Sequence, residues 1–269
     1  MPLQRKPLNS SQQEVLLTLY KFRFASRDLI TRYQGLTSST NTHYRLQVLL
    51  EQEYIGRNFN GSYRLAGKPA SYYLLRKGIS FLKPNPNLYT DALNLTYKDK
   101  DAGEVFIARC LTIFELYNKF IRLYGGMLEF YAKNELIEYD HFPSPRPDGF
   151  ISFSDKYERL EDVMLELVMD VTPMSAVRRR LTQYFQHFES GEWEEETKAN
   201  YPTLLLVCET PGVEWRTQKL FSRILSSTDA DELDCYTTTL KALSSALSAR
   251  DAVWSNVLDP EEPVSLSGE

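Results

Sequence analysis

Apolar positions recur at helical spacing through the first fifty residues, then give way to short alternating runs. Ser10 and Ser11 stand as N-cap candidates, with Glu14 three residues after Ser11 as in a capping box, and Val15, Leu16, Leu19 and Tyr20 follow on one face. A shorter helix is predicted from Ser26, with Asp28 in its first turn, Leu29, Ile30 and Tyr33 along it, and Gly35 at its end. The polar cluster Thr37-Ser38-Ser39-Thr40-Asn41 opens a third helix carrying Tyr44, Leu46, Leu49 and Leu50. Tyr54 to Phe59 then reads as a strand, Asn60-Gly61 as a turn and Ala70 to Leu75 as a returning strand. Helix, short helix, Gly-containing turn, third helix and hairpin is the spacing of a winged helix-turn-helix over residues 1–84, closed by Pro84-Asn85-Pro86-Asn87.

The second part reads differently. Residues 85–125 form a polar connection and then a long helix from about Ala102 to Tyr124, striped with Val105, Phe106, Leu111, Leu116 and Phe120 and stopped by Gly125-Gly126. That stripe serves either as core of a second domain or as a dimer-forming helix. Met127 to Tyr131, Gly149 to Phe153 and Val163 to Met169 read as strands, and a basic helix with Arg178, Arg179, Arg180, Leu181, Tyr184 and Phe188 follows Pro173. Thr203 to Cys208 is a continuous apolar run, the pattern of a strand buried on both faces, and a helix covers about Val213 to Leu225. This order predicts an α/β domain over 126–258. Leu233, Leu240, Leu243, Leu247 and Val253 extend helical spacing towards Trp254, and residues 259–269 are expected to be an acidic, disordered tail.

Charge sharpens the division. The chain carries a net charge of −5, yet residues 1–83 hold 13 Lys and Arg against 4 Asp and Glu, while the remainder holds 18 basic and 32 acidic residues. A basic module that meets a polyanion, joined to an acidic one that does not, accounts for this split. Ser38, Ser39, Asn41, Thr42 and Arg45 at the start of the third helix, with Arg57, Arg64 and Lys68 from the wing, are the candidate DNA contacts. Hydroxyls and an amide suit base edges or phosphate, and the cations supply salt-dependent attraction; Ser38 and Ser39 could equally serve as helix caps. The three cysteines and three histidines are scattered without metal-ligand spacing, which predicts reduced thiols and no zinc site. The polar start from Met1 to Ser10, and the absence of a long apolar run, predict a cytoplasmic protein with no secretory signal and no membrane span.

Pro147-Asp148-Gly149 entering one strand, and Glu166 in the next, resemble the core of the PD-(D/E)XK nucleases. That resemblance implies that Asp148 and Glu166, with Glu135 as a looser upstream partner, would bind Mg²⁺, which prefers oxygen ligands and would polarise a phosphate. The pattern departs where a Lys is wanted two residues after Glu166, because Val168 stands there. On the residues alone, Asp148 could instead cap a turn and Glu166 pair with a nearby Arg. A winged helix, a long helix and a nuclease-like α/β domain together resemble the replication-relaxation family of plasmid and conjugative-element proteins. The resemblance implies a DNA-binding accessory or regulatory protein, a homodimer on double-stranded DNA, acting beside a relaxase or replication initiator and needing no cofactor. The alternatives are a Mg²⁺-dependent endonuclease targeted by the winged helix, and an acidic domain acting as a platform for protein partners.

Overall fold

The computed structural model describes residues 7–59, 61–125, 128–153, 162–226 and 233–266. The predicted turn residue Asn60, the helix stop Gly126, the strand start Met127, residues 228–232 and residues 267–269 lie outside them. Packing divides the chain into two compact units, Met1–Asn118 and Lys119–Glu269.

In the first unit, α1 (Ser10–Phe22) is capped one position earlier than the serines suggest. The Asn9 side chain accepts from the Gln12 backbone N–H at 2.9 Å and the Gln12 side chain accepts from Asn9 N–H at 3.0 Å. Glu14 is thereby released, and accepts instead from the Gln34 amide at 3.0 Å. A two-residue strand β1 (Ala25–Ser26) leads into α2 (Arg27–Tyr33), whose first turn is capped by the Ser26 hydroxyl. Next come α3 (Ser39–Glu51), β2 (Ile55–Asn58), the short α4 (Gly61–Leu65) and β3 (Ser71–Leu74). The strands form an antiparallel sheet in the order β1-β3-β2, with Ile55 opposite Leu74 and Asn58 opposite Ser71. Leu16, Leu19, Phe24, Leu29, Ile30 and Leu46 are buried in the core of this unit.

The unit continues past the Pro84 break. After α5 (Arg76–Leu82), which precedes the break, it adds α6 (Thr90–Thr96), a 3-10 helix (Tyr97–Asp101) and the first part of α7 (Glu104–Tyr124). The stretch read as a polar connection is therefore partly core. Ala92 and Leu93 are fully buried, and Phe114 of α7 stacks on Phe22 with ring centroids 4.0 Å apart. A stacked aromatic pair adds to the stabilisation its buried area supplies, which draws α7 into the fold of the first unit.

The second unit is a seven-stranded mixed sheet in the order β10-β9-β8-β7-β6-β5-β4. Strands β4 (Leu128–Ala132), β5 (Gly149–Phe153) and β6 (Asp162–Val168) run antiparallel. Strands β6, β7 (Thr203–Cys208) and β8 (Cys235–Thr239) run parallel, joined through α8 (Met174–Ser190), α9 (Glu192–Thr197) and α10 (Pro211–Leu225). Parallel strands covered by crossover helices are apolar on both faces, and β7 has Leu204 through Cys208 buried without a break.

Two expectations for the C-terminal part are corrected. Helical spacing from Leu233 suggests one helix, but Cys235–Thr239 is a strand and only α11 (Leu240–Ser245) is helical. The run Tyr236-Thr237-Thr238-Thr239 favours extended backbone, and the edge of β7 offers it a pairing partner. The segment expected to be a disordered tail includes β10 (Pro263–Val264), which pairs antiparallel with β9 (Trp254–Asn256), and Leu266 beyond it is buried. Its apolar residues, few as they are, cover the end of the sheet.

Candidate nucleic-acid interface and carboxylate cluster

The start of α3 sorts its polar residues by helical geometry. Ser38 is the N-cap: its hydroxyl accepts from Thr40 N–H at 3.3 Å and lies 3.1 Å from the Thr40 hydroxyl. Thr42 is fully buried and its hydroxyl is bonded to that of Thr31 at 3.0 Å, so it joins α2 to α3 and is withdrawn from any external ligand. Arg45 is half-buried and donates to the Gln34 side chain at 2.6 Å, which fixes the guanidinium along the α2–α3 seam. Of the remaining predicted contacts on α3, Ser39 is half-buried and Asn41 is exposed.

Sequence reasoning placed Tyr44 on the apolar stripe, yet it is 65% exposed and stands beside exposed His43. The signal was in the spacing. With Thr42, Leu46 and Leu49 turned inward, positions 41, 44 and 48 share the outward face. Asn41 and Tyr44 are thus neighbours one helical turn apart, an amide and a phenol presented together to solvent.

The hairpin contributes cations at its far end. Arg57 is exposed on β2 and Arg64 on α4, and their guanidinium carbons lie 5.8 and 5.9 Å from the ring of half-exposed Phe59. Two cations held about one aromatic face keep their charge in solvent while losing some conformational freedom. Lys68 is also exposed but has an acidic neighbour, Glu104, at 3.3 Å.

In the second unit the strand register sets Asp148 against Glu166. Gly149 pairs with Leu165, Asp148 N–H donates to the Leu165 carbonyl at 3.0 Å, and both acids are buried. On the other side of β5, a Cβ at Gly149 would stand 2.7 Å from the end of the Phe130 ring on β4, so the glycine leaves room for that ring. One Asp148 oxygen accepts from Leu167 N–H at 2.9 Å. Glu166 Oε1 accepts from Arg180 Nε at 2.6 Å, from Arg180 Nη2, and from the Tyr184 hydroxyl at 2.7 Å. Arg180 also donates to the Pro145 carbonyl and the Tyr184 oxygen, and its guanidinium lies 4.2 Å from the Tyr184 ring. Burial pulls the Arg180 pKa down, but Glu166, Tyr184 and Asp148 outweigh it and hold the guanidinium charged. Burial, then the Glu166 charge, raises Tyr184 well above the usual phenol range, so it stays a neutral donor.

These residues do not fit Mg²⁺ as they stand. A divalent ion needs several oxygens with lone pairs to give, and one oxygen of each carboxylate is committed to an N–H or O–H donor. It would also have to sit beside a cation already ion-paired with Glu166. Glu135, the third predicted ligand, turns back to accept from Ala132 N–H at 2.8 Å. Among the described residues no group of three or more His, Cys, Asp or Glu side chains is placed to hold a metal ion.

No protein-family model and no curated protein matches the chain. Among solved structures, it is similar to the restriction endonuclease FokI, at 12% identity and a TM-score of 0.31 over 90% of this chain and 45% of that one. For FokI bound to DNA the figures are 10%, 0.31, 89% and 45%. The chain spans less than half the length of these solved chains, and a likeness this loose carries no argument about fold or activity. Among the described residues no helix is long and apolar enough to cross a membrane.

Proposed function

We propose that this chain is a DNA-binding accessory or regulatory protein of a plasmid or conjugative element. In this reading α1 to β3 act as a winged helix-turn-helix, α3 enters the major groove of a duplex, and the second unit is a nuclease-like domain that does not cut. The observation that carries the DNA-binding reading is the exposed pair Asn41 and Tyr44 on α3, beside a hairpin whose far end presents Arg57 and Arg64. An amide can read adenine in the major groove, and exposed guanidinium groups reach phosphates. The ion pair between Arg180 and Glu166 supports the non-catalytic part, because it uses the carboxylate a metal would need.

Fluorescence anisotropy with duplexes from the protein's own genetic element tests this. Binding is expected at low salt, weakened about ten-fold or more in Asn41→Ala/Tyr44→Ala. No complex at low salt with any such duplex would sink the reading.

A Mg²⁺-dependent endonuclease is the second reading, favoured by the placing of Asp148 opposite Glu166 on paired strands. It requires supercoiled plasmid to be nicked with Mg²⁺, and nicking to be lost in Asp148→Ala and Glu166→Ala. Our reading expects the plasmid to stay intact. Co-purification with a relaxase or replication initiator tests the proposed assembly, and size-exclusion chromatography with light scattering tests the proposed homodimer.

A further inference from the structure

Away from the start of α3, the first unit has a basic cleft that the duplex-binding reading does not use. It encloses about 590 Å³ between the end of β3, α5 and the 3-10 helix, and its charged lining is Arg76, Lys77, Lys100 and a single acid, Glu53. A second cleft of about 300 Å³ adjoins it, sharing Arg76, Ser80 and Tyr97 and adding Lys83 and Asn94. Both are open to solvent, and Tyr97, 45% exposed, is common to the two.

The chemistry of the lining is specific. The Arg76 guanidinium lies 5.7 Å from the Tyr97 ring centre and the Lys100 ammonium 5.1 Å from it. Lys77 is already engaged, donating to the Gln52 carbonyl at 2.8 Å and lying 4.2 Å from the Tyr54 ring, so it adds field rather than a contact. The lining of the adjoining clefts carries four cations and the acid Glu53 around a partly exposed aromatic ring, with Asp101 3.8 Å from Lys100 beside it. A positive groove with an aromatic platform suits single-stranded nucleic acid: phosphates follow the cations, and an unpaired base stacks on the ring without regard to its identity.

Position separates this cleft from the interface on α3. Glu53 directly follows the helix C-cap Gln52, and a 13-residue helix rises roughly 20 Å, so the cleft lies about that far from the α3 N-terminus. Along the hairpin it borders Leu74, at the end opposite Asn58 and Ser71.

We propose that this cleft binds an unpaired stretch of DNA, with a base stacked on Tyr97 and its phosphates held by Arg76, Lys83 and Lys100. The protein would then hold a duplex and an adjacent single strand at separate places.

Anisotropy with labelled oligo-dT, set beside a blunt duplex, tests the proposal. Tyr97→Ala is expected to weaken oligo-dT binding about five- to hundred-fold, with duplex binding unchanged and circular dichroism confirming the fold. Tyr97→Phe should restore binding, because the ring and not the hydroxyl carries the stack. Arg76→Ala/Lys100→Ala should flatten the salt dependence of oligo-dT binding. Absence of oligo-dT binding, or full binding in Tyr97→Ala, overturns the proposal. So does displacement of oligo-dT by inorganic phosphate or polyglutamate as readily as by unlabelled oligo-dT, since either would mark a general anion site. Failure of duplex binding alone would refute the reading of α3 and leave this test standing.

Discussion

Asp99 shows how a single buried acid can tune the first unit. It is fully buried, one oxygen is bonded to Arg23, and among the described residues the other oxygen has no hydrogen-bond partner. Burial pushes its carboxyl up to about 6, against the opposing pull of Arg23. Since the unfolded value is near 3.9, the folded chain keeps a proton between these two pH values. The stability this group contributes is complete below about pH 4 and is lost as pH rises through about 6. Urea titrations from pH 4 to 7 should show this loss, and Asp99→Asn should flatten it by about one proton; an unchanged profile in the variant would refute the assignment. Arg180 is the opposite case, a charge kept because its partner needs it. Arg180→Met leaves Glu166 buried without its cation and should cost about 3–5 kcal/mol in urea unfolding, most of it recovered in Arg180→Met/Glu166→Gln. The role of Asp99 could not be read from the chain alone, and for Arg180 the chain offered a pairing of Glu166 with a nearby Arg without fixing which one. Asp99 sits in a run of alternating charges that looks solvated, and Arg180 is one of three consecutive arginines of which a helix can turn only some towards the sheet.

At the level of elements, α1, α2 and α3 were legible because each carries a side-chain cap and an apolar stripe, whereas α5 and α6, which have no side-chain cap, were not. Residue chemistry, unlike helical spacing, misassigned the division of labour on α3, where Thr42 and Tyr44 exchanged the roles their side chains suggest. A hydroxyl found a buried partner in Thr31, and an aromatic ring was left outside. This makes a discriminating pair of substitutions. Thr42→Val should alter stability and leave the salt dependence of duplex binding unchanged, whereas Tyr44→Ala should weaken binding about five-fold or more with little change in unfolding midpoint. The reverse pattern would mean that α3 does not face the duplex. In the second unit, Asp148 and Glu166 were legible as a pair because one Gly-containing strand entry and one apolar strand flank them. The C-terminal strands were not, because the leucines around β8 fall at helical spacing and mask its β-favouring threonines. Their pairing is a property of the assembled sheet, and no local period records it.

Across the whole molecule the charge division survives the boundary drawn by packing. Residues 1–118 hold 16 basic and 9 acidic side chains, and residues 119–269 hold 15 and 27. On the duplex-binding reading the first unit supplies the contacts, and duplex affinity should fall linearly in log–log plots against salt, losing roughly 0.9 of slope for each phosphate-contacting cation removed. Arg57→Ala/Arg64→Ala should lower the slope by about two such steps; an unchanged slope would place the contacts elsewhere. The short pairing of Pro263–Val264 with β9 bears on a different hazard. By occupying the last row of backbone donors and acceptors, this two-residue strand blunts an edge on which another extended chain could add itself. Removal of residues 259–269 would uncover that edge together with the apolar seat of Leu266, so the shortened protein would be prone to self-templated growth into sheet-like aggregates.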